Sequence, residues 1–208
     1  MTAQITDGFY YNNEEWTLIA TSKKFGFDPK KHGLEPVSPS TACWDGYYCD
    51  YSIDDSLKLK NLFICLGWPG FPFQYDETKE GPEYPELLGK QVSIVEDDGY
   101  YHNFDHYYAL DYPMNFSGKI LLGKNFMSGY YIHMGYQQAW AYENVKEFVF
   151  KNGKLVEIND YSDKVQKLRE DINKDPDFFD KMHNNIPEFV NNSFSKDYEI
   201  KAWWIDKY

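Results

Sequence analysis

The residues of this sequence that are best spaced for metal chemistry are His102, Asp105 and His106, in the run HNFDH. If the run were helical, the two histidines would lie one turn apart on one face, as in helical zinc sites. His133 could then supply a third nitrogen and Asp105 or Asp111 an oxygen, which would leave an open catalytic position. However, aromatic residues crowd the run, and no glutamate stands where zincin motifs place their general base. We therefore keep a small-molecule- or metal-binding, hydrolase-like enzyme as the alternative function, and we expect no resident metal or cofactor.

Nucleophilic catalysis has less support. Cys43 could pair with His32 or His133, but three cysteines and five histidines make some such pairing available by chance. The sequence contains no G-x-S-x-G nucleophile elbow, P-loop or G-x-G-x-x-G fingerprint. A catalytic pair of carboxylates of the glycosidase type is a further possibility, because acidic residues are plentiful and the fold decides which of them lie close together. The sequence therefore assigns no catalytic residue.

The most pronounced charge feature is the stretch from Trp68 to Gly99, which is rich in proline and glycine. Eight carboxylates and two lysines lie between Asp76 and Asp98, in a chain whose net charge is −12. Such a surface favours a basic partner and speeds the encounter with it. The alternative is that the charge only keeps an aromatic-rich chain in solution. The predicted partner-binding residues are Trp68, Tyr75, Glu77, Glu80, Glu83, Glu86, Asp97 and Asp98.

The same composition argues against several classes of partner and location. Arg169 is the one arginine, and an acidic chain repels a polyanion, so we expect no nucleic acid. No apolar run approaches the length of a membrane span, and the first residues do not resemble a signal peptide, so we expect no membrane. Three cysteines have no framework spacing, and a turn at Asp45-Gly46 would place Cys43 opposite Tyr48, with its thiol facing away from that of Cys49. We therefore predict a reduced, cytoplasmic protein.

Alternating apolar residues predict the strands that must position these groups. The run VKEFVF-KNG-KLVEI predicts a hairpin with a type I′ turn at Asn152-Gly153. In that register Phe150 faces Leu155 and Val149 faces Val156. Both faces of the hairpin are then apolar, so the rest of the chain must cover both.

Two more hairpins are predicted nearer the N-terminus. The first turns at Asn12-Asn13. The second uses a three-residue connection, Asp54 to Ser56, which places Ile53 opposite Leu57 and Tyr47 opposite Phe63.

The pattern changes from strand to helix after Ile158. Ser162 is the predicted N-cap of a helix whose apolar residues recur at helical spacing: Val165, Leu168 and Ile172. A second helix is predicted to begin at Asp175-Pro176 and to close at Pro187.

These elements predict a single α+β domain over residues 1–208. Its β-rich body spans 1–160, with an acidic Pro/Gly-rich loop at 67–90, and is followed by a helical segment at 161–195 and a terminal strand or docked tail at 196–208. We expect a mainly antiparallel sheet, as a sandwich or a partly open barrel, with two C-terminal helices packed on one face.

Three segments resemble uncharacterised bacterial cytoplasmic families of the polymorphic-toxin immunity-protein type: STACWDGYYCDY, YYIHMGYQQAWAYE and FKNGKLVE. The resemblance implies a small acidic protein that sits over a basic toxin domain and blocks it, and it assigns no catalytic residue. The first hypothesis is therefore an intracellular acidic binding module, most plausibly an immunity or inhibitor protein. The second is the enzyme described above, and the third is a structural or accessory domain.

Overall fold

The computed structural model describes residues 2–95 and 106–208, which form an α+β fold with a nine-stranded sheet. The strands are β1 (Gly8–Tyr11), β2 (Glu14–Thr21), β3 (Tyr47–Ile53), β4 (Leu57–Ile64), β5 (Ser93–Ile94), β6 (His106–Pro113), β7 (Gly118–Phe126), β8 (Tyr142–Lys151) and β9 (Lys154–Asp160). The helices are α1 (Ser162–Lys174), α2 (Phe178–His183), α3 (Ile186–Phe194) and α4 (Tyr198–Lys201). Within the described residues the sheet order is β5-β6-β4-β3-β1-β2-β7-β8-β9. β1 and β3 are parallel neighbours, and the other paired strands are antiparallel.

Two of the predicted turns form where asparagine and glycine allow positive φ. Asn12 and Asn13 have φ of 52° and 61° between β1 and β2, and Asn152 and Gly153 have 50° and 78° between β8 and β9. Phe150 pairs with Leu155 as predicted. The prediction that Val149 pairs with Val156 was wrong. A bulge pairs Val149 with Glu157, so Val156 has no cross-strand partner in β8 and is 57% exposed.

The β3–β4 hairpin shows the same effect. Ile53 pairs with Leu57 across the three-residue connection, but a bulge after Asp50 places Tyr47 opposite Ile64 instead of Phe63. The hairpin predicted at Asp45-Gly46 was also wrong. Cys43 bridges to Ser40, and β3 begins only at Tyr47, where it pairs with β4. All three cysteines are free and buried.

The sheet curls around a core cluster on one of its faces. The ring of Tyr11 in β1 lies 5.0 Å from that of Phe148 in β8, although β2 and β7 separate these strands in the sheet. The hairpin tips also meet, because Leu57 N–H donates to the Gly153 carbonyl at 2.8 Å. This curl encloses Phe9, Tyr51 and Phe148, each at most 1% exposed, without a second sheet among the described strands.

The C-terminal segment contributes to a second cluster, with Leu121 and Val145 of the sheet. Val165, Leu168 and Ile172 of α1 are all buried there, as their helical spacing predicts. Full burial of such side chains contributes about 1.5–3 kcal/mol each. Residues 196–208 add α4 and Trp204, which is fully buried and donates from Nε1 to the Lys201 carbonyl at 3.0 Å.

The helix boundaries differ from the predictions at both helices: the N-cap of α1 is Tyr161, and α2 begins at Phe178. Ser162 is the first residue of α1, and the side chain of Asp160 accepts its backbone N–H at 3.0 Å. Pro187 lies in the first turn of α3, where proline is favoured, so it opens a further helix and does not close the second one. Among the described residues, none of the helices combines the length and the apolar character needed to cross a membrane.

Candidate partner-binding surface

The acidic loop, residues 67–90, exposes large aromatic side chains. Phe73 is 76% exposed, Tyr75 69% and Phe71 44%. Prolines 69, 72, 82 and 85 interrupt this stretch and deprive it of backbone donors, so it cannot join the sheet ladder. The result is an apolar patch that faces solvent without cover from the described residues.

Carboxylates share the loop with this aromatic patch, and Glu80 lines one surface depression together with Phe71 and Phe73. The loop carries five of them and two lysines, and the predicted contacts Glu77, Glu80, Glu83 and Glu86 are all exposed. Lys79 offsets part of the charge through a 3.9 Å ion pair with Asp76. Hydrogen bonds from the hydroxyl and backbone N–H of Thr78 lower the pKa of Asp76, which keeps that carboxyl ionised. The surface is therefore both aromatic and negative.

Bonds within the loop hold this surface in one shape. The indole of Trp68 is half-buried, packs edge-on against Phe71 at 4.9 Å, and donates from Nε1 to the Phe73 carbonyl at 2.8 Å. The backbone N–H of Asp76 donates to the Pro69 carbonyl at 2.9 Å. Trp68 therefore shapes the surface from beneath, while Phe73 and Tyr75 point away from the body.

The C-terminal end of the loop is also anchored to the body of the fold. The backbone N–H of Leu66 donates to the Tyr84 hydroxyl at 3.2 Å, and Tyr108 in β6 donates to the Pro85 carbonyl at 2.6 Å. Leu87 is 2% exposed and belongs to the core cluster inside the curl. These contacts hold residues 84–87 of the loop against the sheet.

The structure thus brings together Trp68, Tyr75, Glu77, Glu80, Glu83 and Glu86 on one loop, while Asp97 and Asp98 lie outside the described residues. The analysis of the sequence missed Phe71 and Phe73. The signal for them was the run WPGFPF, in which prolines keep neighbouring aromatics out of a strand.

The alternative metal set is not assembled by the described residues. His102 and Asp105 lie outside them, and His106 begins strand β6, so its expected helical geometry was wrong at that residue. The His106 ring stacks on Tyr84 with centroids 3.9 Å apart, whereas the His133 Nδ1 hydrogen-bonds the Tyr131 hydroxyl at 3.1 Å. Across residues 2–95 and 106–208 no three metal-type side chains form a group that could hold an ion.

A small polar cavity of about 120 Å³ was not predicted. Its lining includes Asp7, Tyr136 and Lys196, and the Asp7 carboxylate accepts the backbone N–H of Cys49 at 2.9 Å. Burial raises the pKa of Asp7. Burial also acts to lower the pKa of Lys196, but Asp7 and Tyr136 outweigh it and raise that pKa, so the amine stays cationic. The cavity is an internal charge cluster that joins the N-terminal segment to the chain after α3.

Cys43 and Cys49 line the same cavity, and neither is prepared as a nucleophile. Burial raises the pKa of Cys43 to about 11 and that of Cys49 well above its ordinary value. Both are therefore protonated thiols at neutral pH, and the thiolate is the reactive form. The ring of His32, conceived as a base for Cys43, stacks on Phe27 at 4.7 Å, and His32 is not part of the lining of the cavity that Cys43 lines.

Comparison with known proteins adds no relative to this geometry: no family model matches the chain, and neither a curated protein nor a solved structure is significantly similar to it.

Proposed function

We propose that this chain is an acidic protein-binding module of the immunity or inhibitor type, which occludes a basic toxin or effector domain with its acidic loop. The observation that carries the proposal is that exposed Phe73 and Tyr75 share an anchored loop with exposed carboxylates, of which Glu80 lies near Phe73. Protein interfaces commonly combine a central aromatic cluster with charged groups around it.

The two kinds of side chain have separate roles in this mechanism. Glu77, Glu80, Glu83 and Glu86 attract a basic surface and speed the encounter, an effect that salt screens. Phe73 and Tyr75 then become buried in the partner and supply most of the binding energy. The partner is blocked because the bound loop covers its active surface.

Within this proposal the protein acts in the cytoplasm, which is consistent with three free, buried cysteines. We further interpret the curl of the sheet as that of a partly open barrel, the alternative to a sandwich, and the C-terminal helices as the cover packed on one face.

The test begins with the tagged protein, which is used to capture partners from extracts of its host, followed by binding of the purified partner. Three variants are compared with the wild type. The charge variant changes Glu77, Glu80, Glu83 and Glu86 to glutamine. The aromatic variant is Phe73→Ser with Tyr75→Ser. The matched control removes four exposed carboxylates elsewhere, by changing Glu157 and Glu170 to glutamine and Asp177 and Asp180 to asparagine.

We expect one basic protein, bound one to one and inhibited by the wild type. The charge variant should bind about 10-fold or more weakly at low salt and show a flatter salt dependence, whereas the control should not. The aromatic variant should bind about 10-fold or more weakly at every salt concentration. A partner that both loop variants bind as tightly as the wild type would place the interface elsewhere, and the absence of any basic partner would overturn the proposal.

A further inference from the structure

A groove of about 450 Å³ lies between α2, α3 and the chain around and after α4, far larger than the polar cavity. Four aromatic side chains contribute to its walls: Trp140, Phe178, Phe189 and Trp203. Trp140 and Phe178 meet edge to face at 5.8 Å, so their relative orientation is set by mutual packing. Trp203 is 49% exposed and leaves the groove open at one side. A groove of this size and composition suits a small molecule with a flat ring.

The groove also contains an amide that bonds none of the described residues and whose nitrogen and oxygen keep some access to the groove. Gln138 is 8% exposed and lines the groove, and its side chain has no hydrogen bond to any residue within 2–95 or 106–208. Its neighbour Gln137 differs, because that amide bonds both the N–H and the carbonyl of Ile132, at 2.9 and 2.7 Å. Buried polar groups in folded proteins are normally paired. The free Gln138 amide therefore offers a donor and an acceptor to an occupant of the groove.

A second unpaired donor lies in the same wall. The Nε1 of Trp140 is buried and has no hydrogen-bond partner among the described residues, but its burial closes that atom off from the groove, so only the ring of Trp140 lines it. The two orphaned groups are close in sequence, since only Ala139 separates Gln138 from Trp140.

The charged residues of the groove lie on its exposed side. Lys181 pairs with Asp175 at 2.8 Å, and the Glu188 carboxylate accepts the Asn185 side-chain amide at 2.8 Å, and both charged side chains are exposed. The buried part of the lining, with Gln138, Trp140 and Phe189, carries no charge, so it suits a neutral ligand.

We propose that this groove binds a neutral heteroaromatic ring that carries an amide edge. The ring lies against the aromatic walls, and its adjacent donor and acceptor pair with the acceptor and donor of the Gln138 amide. This site is separate from the acidic loop and does not rest on the binding of a basic protein.

The probes are uracil and nicotinamide, which are neutral heteroaromatic compounds with an amide group. Indole supplies a ring without the amide, and methyl α-glucoside supplies hydroxyl groups without an aromatic ring. Binding to the full chain is measured by saturation-transfer NMR and titration calorimetry. Gln138→Met removes the amide at similar size, Trp203→Ala removes an exposed wall, and Gln166→Met is the control, because Gln166 is exposed on α1. Circular dichroism and thermal melting establish that each variant is folded.

We expect the wild type to bind uracil or nicotinamide more tightly than indole or the glucoside. Gln138→Met should weaken that binding by about 10-fold or more, since a site built to bond a polar group loses affinity when the bond is removed. Trp203→Ala should weaken it as well, and Gln166→Met should not. The proposal is overturned if the wild type binds neither amide probe, or if folded Gln138→Met binds them unchanged. If Gln138→Met does not fold, Trp203→Ala and the comparison with indole decide, and equal binding in either case overturns the proposal.

Discussion

The hydroxyl of Tyr198 in α4 donates a hydrogen bond to the carboxylate of Glu147, which is 1% exposed on β8. Lys119 of β7 pairs with the same carboxylate at 3.2 Å, and the side-chain amide of Asn159 donates to it at 3.1 Å. Burial and the adjacent Glu147 both raise the pKa of Tyr198, so its hydroxyl stays protonated and remains a donor. A buried charge on the strand next to the β9 edge of the sheet is thereby satisfied in part by α4.

Tyr198→Phe is expected to lower the free energy of unfolding by about 1.5–3 kcal/mol, because a hydrogen bond to a buried charged group is lost. Tyr208→Phe is the matched control. It removes a 2.8 Å hydrogen bond to Asp171, an exposed carboxylate, and should cost less than about 1 kcal/mol. Urea unfolding followed by circular dichroism measures both, and equal losses would show that burial of Glu147 adds nothing.

Gly153→Ala is expected to destabilise the fold by about 2–5 kcal/mol, because a positive φ costs alanine about 1–2 kcal/mol and overpacking adds about 1–3 kcal/mol. Gly153 has φ of 78°, and an added methyl group would collide with the Met114 carbonyl. Gly89→Ala separates the two effects, since Gly89 has φ of 77° with nothing within 4 Å of its added carbon. Thermal and urea unfolding compare the two variants. A loss at Gly153 no greater than that at Gly89 would mean that the backbone at Met114 shifts freely.

The contrast between the turns and the rest of the sheet shows which parts of the fold can be predicted from the sequence. The turns at Asn12-Asn13 and Asn152-Gly153 can be predicted from the sequence, because positive φ is a local property of those residues. The bulges at Asp50 and Val149 cannot be predicted from it, because they depend on how the whole sheet curls. The parallel pairing of β1 with β3 likewise joins strands that are distant in sequence.

The same division holds for the two surfaces. Composition indicated the acidic loop, because its carboxylates and prolines lie within one continuous stretch of the sequence. It could not show that the Gln138 amide lacks a protein partner, because an unpaired amide is recognised only once every possible partner has been placed around it.

The cysteines are expected to resist modification while the protein is folded. With the pKa of Cys43 at about 11, fewer than about one such thiol in a thousand is ionised at pH 7.5, and burial blocks access to all three cysteines. Iodoacetamide should therefore label the native protein slowly and label all three cysteines rapidly in urea, as counted by mass spectrometry. Rapid labelling of Cys43 in the native protein, before any loss of circular dichroism, would show that the polar cavity opens to solvent and holds a thiolate.

Lys201 predicts an unusual dependence of stability on pH. Its side chain is 1% exposed, its Nζ donates to the Tyr136 carbonyl at 3.1 Å, and burial lowers its pKa from 10.5 to about 7. Between pH 7 and 10.5 the unfolded state therefore binds a proton that the folded state does not, so this residue makes stability rise with pH across that window. Below pH 7 the amine is charged in both states, and the full free-energy cost of burying that charge lowers the stability of the fold. This cost is at most about 5 kcal/mol, because each unit of pKa shift corresponds to about 1.4 kcal/mol.

Lys201→Met should consequently stabilise the protein by a few kcal/mol at pH 6, reduced by about 1 kcal/mol for the lost hydrogen bond to Tyr136. The advantage should shrink as the pH rises from 7 to 10, because the wild-type amine is then neutral in the folded state. Lys164→Met is the control, since Lys164 also donates to a carbonyl, that of Ile205 at 2.7 Å, but is only partly buried. Urea unfolding at pH 6, 7.5, 9 and 10 gives the difference for each variant. If the effect of Lys201→Met were the same at every pH, the amine would have to be charged inside the fold, and the Tyr136 carbonyl would not be its sole compensation.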